Sequence, residues 1–116
     1  MNKKRLLQLA DIVENQIHSL SFFDSSGFNM RYVQHDCGTP SCIAGFVLEQ
    51  SELKWDDSMY YTNHVAEYLD ISHEDAIRLC EPSDIERRFW QDITPSQAAK
   101  TIRRLVDTGE VKWIRE

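Results

Sequence analysis

The sequence predicts an α+β domain that is mainly helical, with five or six short helices and a small two-stranded β-ribbon. Apolar residues recur at three- and four-residue steps along several stretches, which is typical of amphipathic helices. Helix-capping residues precede many of these stretches, and two further stretches alternate apolar and polar side chains as strands do. The 116 residues are 41% hydrophobic and 28% charged, so we expect one compact domain over residues 1–116.

Two elements are predicted before residue 36. Apolar residues at helical spacing from Leu6 to Leu20 predict a helix over residues 3–19, and Asn2 can cap its first turn. Alternation then predicts a strand over residues 28–35. Because a lone strand leaves its backbone groups unpaired, we expect it to pair with a second alternating stretch over residues 110–114.

Helix-start chemistry recurs through the rest of the chain. Thr39 followed by Pro40 predicts a helix that ends near Gln50 and carries Cys42 as its third residue. Helical spacing predicts the next helix over residues 58–69.

Three further helix starts are predicted from capping pairs, in which a hydroxyl precedes an acidic or amide side chain by three residues. These pairs are Ser72 with Asp75, Ser83 with Glu86, and Thr94 with Gln97. The last helix is expected over residues 95–107, and Gly109 can supply its left-handed end.

The charge of the chain is concentrated in its middle. Residues 36–81 hold ten acidic and two basic side chains, whereas the total is 19 acidic and 13 basic. Such a segment repels phosphate backbones and attracts cationic surfaces. It predicts either a solvated, solubilising face or an acidic contact surface for a protein with a basic surface. The candidate contact residues are Asp56, Asp57, Glu67, Asp70, Glu74 and Asp75.

The sequence argues against membrane and secreted classes. The longest apolar run, Ile43–Leu48, is far below the ~20 residues that span a bilayer. The basic start of the chain is not followed by the unbroken apolar stretch of a secretory signal. Three cysteines, an odd number, then favour free thiols in a reducing cytoplasm.

The most unusual stretch runs from Cys37 to Gly45. Gly38 permits a sharp turn after the predicted strand, and Thr39 is placed to cap the helix that follows. Gly45 offers a small surface on which another backbone can pack closely. These residues favour a buried corner in which the thiol of Cys42 fills space.

Two chemical roles for this stretch remain as alternatives. A thiol in the first turn of a helix can become a nucleophile, as in cysteine hydrolases, with His64 or His73 as the base. A metal site could use His35, Cys37 and Cys42, with Cys80 or His64 as a fourth ligand. The spacing differs from the usual Cys-x2-Cys knuckle, so we expect no metal and no cofactor.

Residues 94–114 also resemble the last helix and the first wing strand of a winged-helix domain. Lys100, Arg103 and Arg104 could contact phosphates there. Nearby acidic residues and the net charge of −6 argue against nucleic acid as the partner.

Three phrases of the sequence resemble an uncharacterised family of small proteins from phages and bacteria. They are Cys37-Gly-Thr-x-x-Cys-x-Ala-Gly, Leu69-x-Ile-Ser-x-x-x-Ala-x-x-Leu79, and Thr94-Pro-x-Gln-Ala-Ala with Thr108-Gly-Glu-Val-x-Trp113. The similarity covers residues 1–113, with Asp70, Phe46 and Cys80 standing where Gly, Trp and Phe are expected. The resemblance implies a bacterial or phage-infected cell as the setting and supplies no catalytic residues.

Together these observations favour a non-enzymatic, acidic protein-binding module that acts inside bacteria. A phage-encoded regulator or inhibitor of a host defence system is one version of this hypothesis. A cysteine-dependent hydrolase that uses Cys42 is the first alternative, and winged-helix-like DNA binding through residues 94–114 is the second. The partner and the oligomeric state are left open.

Overall fold

Six helices follow one another in the part of the chain that the computed structural model describes, which is residues 1–19, 27–35, 39–53 and 60–113. The predicted mainly helical class is therefore confirmed. None of the described helices is long and apolar enough to cross a bilayer. The helices are α1 (Lys3–Glu14), α2 (Ile43–Gln50), α3 (Tyr61–Leu69), α4 (His73–Cys80), a 3₁₀ helix (Arg87–Asp92) and α5 (Pro95–Thr108).

Local capping chemistry defines several of the helix ends. Side-chain oxygens accept first-turn N–H groups at three starts: Asn2 from Arg5 at 3.1 Å, Ser72 from Asp75 at 3.0 Å, and Thr94 from Gln97 at 3.0 Å. Gly109 ends α5 at φ 76°, in the left-handed region. These four ends lie where the sequence predicts them, because each depends on residues within one helical turn.

The first helix ends at Glu14, five residues earlier than predicted. The side-chain amide of Asn15 donates to the Asp11 carbonyl at 2.8 Å and so competes for the last turn. Beyond it, the Ile17 carbonyl accepts the Phe28 N–H at 2.8 Å. This contact holds the chain outside the helix, and the side chain of Ile17 is 83% exposed.

The second helix begins at Ile43 and not at Pro40, so Cys42 precedes the first turn. The Ser41 N–H donates to the Val33 carbonyl at 3.0 Å, and Gln34 and Pro40 form an isolated antiparallel bridge. These contacts keep residues 39–41 extended, and Cys42 has the backbone angles of an N-cap, φ −96° and ψ 178°.

The predicted two-stranded ribbon is not found among the described residues. Residues 28–35 make only isolated bridges, one of them between His18 and Phe28. The Trp113 N–H, which we expected in the second strand, donates instead to the Asp84 carboxylate at 3.2 Å. The described backbone hydrogen bonds of residues 28–35 go to residues such as Ile17 and Ser41, and the bond that the Trp113 N–H donates goes to Asp84.

The predicted capping pair of Ser83 and Glu86 also starts no α-helix. A 3₁₀ helix begins at Arg87, after Glu86. The indole N–H of Trp90 donates to the Ile85 carbonyl at 2.9 Å and to the Pro82 carbonyl at 3.2 Å. This bifurcated bond connects the 3₁₀ helix to the turn that precedes it.

The buried side chains form one core. Helix α5 packs along α1, while α3 packs against α4 and α2. Helix α2 is buried from Ile43 to Leu48, which explains its uniformly apolar sequence. The fold therefore leaves the outer faces of α3, α4 and α5 exposed to a partner or a ligand.

Candidate functional site

The corner before α2 is tightly packed around Gly45. A Cβ atom added to this glycine would lie 2.1 Å from the Val33 carbonyl oxygen and 3.2 Å from the Pro40 Cα. No side chain fits at those distances, so the close approach of residues 33 and 40 depends on glycine. Cys37 and Gly38, which belong to the same predicted corner, lie outside the described residues.

Cys42 is a buried, protonated thiol. Its side chain is 3% exposed, and burial raises its pKa to about 11. The backbone N–H groups of Ala44 and Gly45 act in the opposite direction, as a helix start should, but they do not outweigh burial. A thiol in this state is a poor nucleophile at neutral pH.

A second buried thiol, Cys80 of α4, lies near Cys42, and both are free. Burial raises the pKa of Cys80 well above its ordinary value. The two thiols line a cavity of about 340 Å³ together with Met30, Tyr61, Glu81, Arg87 and Trp90, among others.

The polar side of this cavity is formed by Tyr61 and Glu81. The Tyr61 hydroxyl donates to the Glu81 carboxylate at 2.9 Å. Burial and this hydrogen bond raise the pKa of Tyr61 above its ordinary value. Since the phenol and both thiols hold their protons at neutral pH, the cavity offers hydrogen-bond donors and no strong base.

The histidines that could activate Cys42 are engaged elsewhere. The described residues contain no hydrogen bond from an imidazole to either thiol. The observed Nε2 contacts are His64 with the Ser51 hydroxyl at 2.8 Å, His73 with the Thr62 hydroxyl at 3.3 Å, and His35 with the Gly27 carbonyl at 2.8 Å. The predicted pair of Cys42 and His64 is therefore not assembled as a nucleophile and base.

The predicted metal site is described only in part, because Cys37 lies outside the described residues. Within residues 1–19, 27–35, 39–53 and 60–113, no group of three histidine, cysteine or acidic side chains is arranged to hold a metal ion. His35 directs its Nε2 to the Gly27 carbonyl at 2.8 Å.

Four of the six predicted acidic contact residues lie together at the turn between α3 and α4. We call residues 67–75 the α3–α4 corner. Glu67 and Glu74 are exposed there, and Asp75 is half-buried in the first turn of α4. Asp70 ends α3 in the left-handed region, at φ 52°. Its carboxylate accepts a hydrogen bond from the N-terminal ammonium group at 3.0 Å. Asp56 and Asp57 lie outside the described residues.

These carboxylates have a structural role beside any functional one. Acidic side chains in the first turn of a helix interact favourably with its dipole, as Glu74 and Asp75 do in α4. Glu67 gains no such stabilisation from a helix dipole, because it lies in the last turn of α3 and not in the first turn of a helix. Two exposed apolar side chains belong to this part of the chain: Tyr60, 80% exposed, directly precedes α3, and Ile77, 37% exposed, lies on α4.

A second concave surface lies on α5, and the sequence analysis did not predict it as a pocket. It has a volume of about 560 Å³. Its wall includes Lys100, Arg103, Arg104, Asp107 and Lys112. Lys112 follows α5 by four residues, and only the turn at Gly109 brings it back to the helix.

Comparisons of this chain with protein-family models, curated proteins and solved structures found no match.

Proposed function

We propose that this protein is a non-enzymatic binding module whose α3–α4 corner contacts a basic surface on another protein. The observation that supports the proposal is the exposed carboxylate pair of Glu67 and Glu74. Neither makes an ion pair with a described residue, so both remain available to a partner.

The balance of charge around the corner supports the same partner class. Residues 60–81 contain five acidic side chains and one basic side chain, Arg78. Complementary charge steers association and selects partners more than it adds affinity. Ile77 adds exposed apolar area on α4, of the kind that interfaces use.

The buried thiols favour binding over catalysis. A cysteine hydrolase needs a thiolate and a base within hydrogen-bond reach. Cys42 is protonated at neutral pH, and His64 contacts Ser51. The resemblance to small phage and bacterial proteins favours a partner inside a bacterial cell, and a regulator or inhibitor of a host system is one version of the proposal.

The test is affinity capture from a bacterial lysate with three tagged proteins, which are the wild type, Glu67→Lys/Glu74→Lys and Glu49→Lys/Glu110→Lys. Glu49 and Glu110 are exposed and lie outside the corner, so their double variant controls for the same change in net charge. We expect wild type and control to retain the same protein in low salt. The Glu67→Lys/Glu74→Lys variant should retain at least tenfold less.

The same capture in about 0.5 M salt gives a second measurement, because salt screens exposed charge pairs beyond a few ångströms. We expect the captured protein to be lost there. Retention of that protein by the Glu67→Lys/Glu74→Lys variant, or in high salt, would reject the corner as the contact surface.

A further inference from the structure

We propose that the concave surface on α5 binds a small organic anion, in which a carboxylate or phosphate group is joined to an apolar body. The surface is called the α5 groove below. It is separate from the α3–α4 corner, so this proposal does not depend on the protein-binding function.

The size and the wall of the α5 groove suit a small molecule. Its volume of about 560 Å³ lies within the range of ligand pockets, about 300–1,000 Å³. Although charged residues form it, the wall that they present is mostly carbon, because the stems of lysine and arginine are apolar. A ligand with an apolar body therefore finds contact area there.

The two neighbouring arginines of α5 have different environments. Arg103 donates to the carboxylates of Asp11 and Glu14 on α1, so its charge is neutralised within the fold. Among the described residues, Arg104 has no such partner. Its Nε–H is buried and makes no hydrogen bond with any of them.

A buried, unpartnered N–H group of a charged side chain is costly in a folded protein. Because this N–H has almost no exposed surface, the cost falls when the side chain turns it toward an acceptor that enters the groove. The Nε–H and a terminal N–H of a guanidinium form a fork that matches the two oxygens of a carboxylate or phosphate. Arg104 is therefore placed to fix the head group of an anion.

The other charges of the α5 groove favour the same sign of ligand. Lys112 adds a cationic group to the wall beside Arg104, and Asp107 is the acidic side chain among the described residues that line it. The groove is thus locally basic in a protein whose net charge is −6. A ligand with a negative head group is attracted to this place on the surface.

The test is a titration of isotope-labelled protein followed by amide NMR shifts. The probes are octanoate, octyl phosphate, octanol and inorganic phosphate. We expect saturable shifts at residues 100–112 with octanoate or octyl phosphate, and at least tenfold weaker binding of octanol. The two anions distinguish a carboxylate from a phosphate head group, and inorganic phosphate measures the head group alone.

Arg104→Gln should weaken binding of the preferred anion by about tenfold, the usual effect of losing a charged hydrogen bond. Its thermal midpoint should not fall, since Nε has no partner to lose. Arg88→Gln is the matched control, because Arg88 is exposed and pairs with Glu86. If Arg104→Gln folds poorly, Lys112→Gln is the second variant, with an expected loss of about threefold.

Three outcomes would overturn the proposal. They are the absence of saturable shifts with either anion, equal binding of octanol and octanoate, and unchanged affinity in both Arg104→Gln and Lys112→Gln. A lower midpoint of Arg104→Gln with unchanged anion affinity would assign the arginine to folding instead.

Discussion

At the scale of single residues, the chemistry of Cys42 depends on the competition between a helix start and burial. The N–H groups of Ala44 and Gly45 favour a thiolate, but the loss of water costs the charged form more. The neighbouring thiol of Cys80 is buried equally, at 3% exposed. The two cysteines therefore fill space in the core and contribute no nucleophile.

This account predicts slow alkylation of Cys42 and Cys80. At pH 7.4 we expect iodoacetamide to label both at least about a hundredfold more slowly than a cysteine peptide, because the thiolate is scarce and the sulfur is covered. Mass spectrometry of the labelled peptides measures the rates. The urea-unfolded protein is the control and should react at the rate of the peptide. Rapid labelling of Cys42 in the folded protein would restore the hydrolase hypothesis.

A second residue-scale prediction concerns the cap of α5. Thr94→Ala should lower the free energy of unfolding by about 1 kcal/mol, because the Gln97 N–H loses its acceptor. Ser96→Ala is the matched control, since Ser96 is exposed within the first turn and should change little. Urea unfolding measures both. Equal midpoints for Thr94→Ala and wild type would contradict the observed cap.

At the scale of elements, glycine is required at two positions for different reasons, and replacing each glycine by alanine distinguishes the two reasons. Gly45 lies inside α2, where an added Cβ would meet the Val33 carbonyl oxygen. Gly109 ends α5 at φ 76°, where an added Cβ would meet no atom within 4 Å. The first position is limited by space and the second by backbone angle.

We therefore predict that Gly45→Ala costs more than about 3 kcal/mol, since the backbone of residues 33 and 40 must move. Gly109→Ala should cost only about 1 kcal/mol, the usual penalty of a left-handed residue. Gly109→Asn is the control, because asparagine tolerates that region better. Chemical unfolding ranks the three variants, and a milder effect at Gly45 than at Gly109 would refute the close approach.

The elements that the sequence predicts correctly are those with local causes. Thr94 and Gly109 lie within one turn of the helix ends that they define. The start of α2 and the missing ribbon have distant causes. The Val33 carbonyl accepts a hydrogen bond from the Ser41 N–H. Local helix propensities do not include this contact, which keeps the helix from starting at Pro40 as the Thr39-Pro40 pair predicts.

The candidate sites follow the same division. The acidic residues of the α3–α4 corner are neighbours in sequence, so their clustering could be predicted. Cys42 and Cys80 meet in one cavity although 37 residues separate them, and no local pattern reports that contact. Likewise, Arg103 is paired because it contacts Asp11 and Glu14, which are about ninety residues away in the sequence.

At the scale of the whole molecule, the largest excess of acidic residues and the basic groove belong to different helices. The acidic corner lies at α3 and α4, whereas the basic α5 groove lies on the helix that packs along α1. Arg103 connects α5 to α1 by its hydrogen bonds to the carboxylates of Asp11 and Glu14. Arg104 lines the α5 groove. The fold thus separates a surface suited to a basic protein from one suited to an anion.

The protonated side chains of the core predict that the stability of the fold decreases at alkaline pH. Cys42, Cys80 and Tyr61 have higher pKa values in the folded chain than in the unfolded chain, chiefly because of burial. The folded state therefore holds protons that the unfolded state releases. The associated stability is complete below about pH 9 and falls as the pH rises from there.

We expect Cys42 alone to remove about 2 to 3 kcal/mol of unfolding free energy between pH 9 and pH 11, because its pKa rises from 9.0 to about 11. Urea unfolding with a reductant, from pH 7 to pH 11, measures the slope. Cys42→Ala should flatten it, whatever its own stability at pH 7. Tyr61→Phe should flatten the part above about pH 10, while Tyr60→Phe, at an 80% exposed position, should leave the profile unchanged. A profile that is level to pH 11 in the wild type would mean that these groups are not buried as protonated side chains.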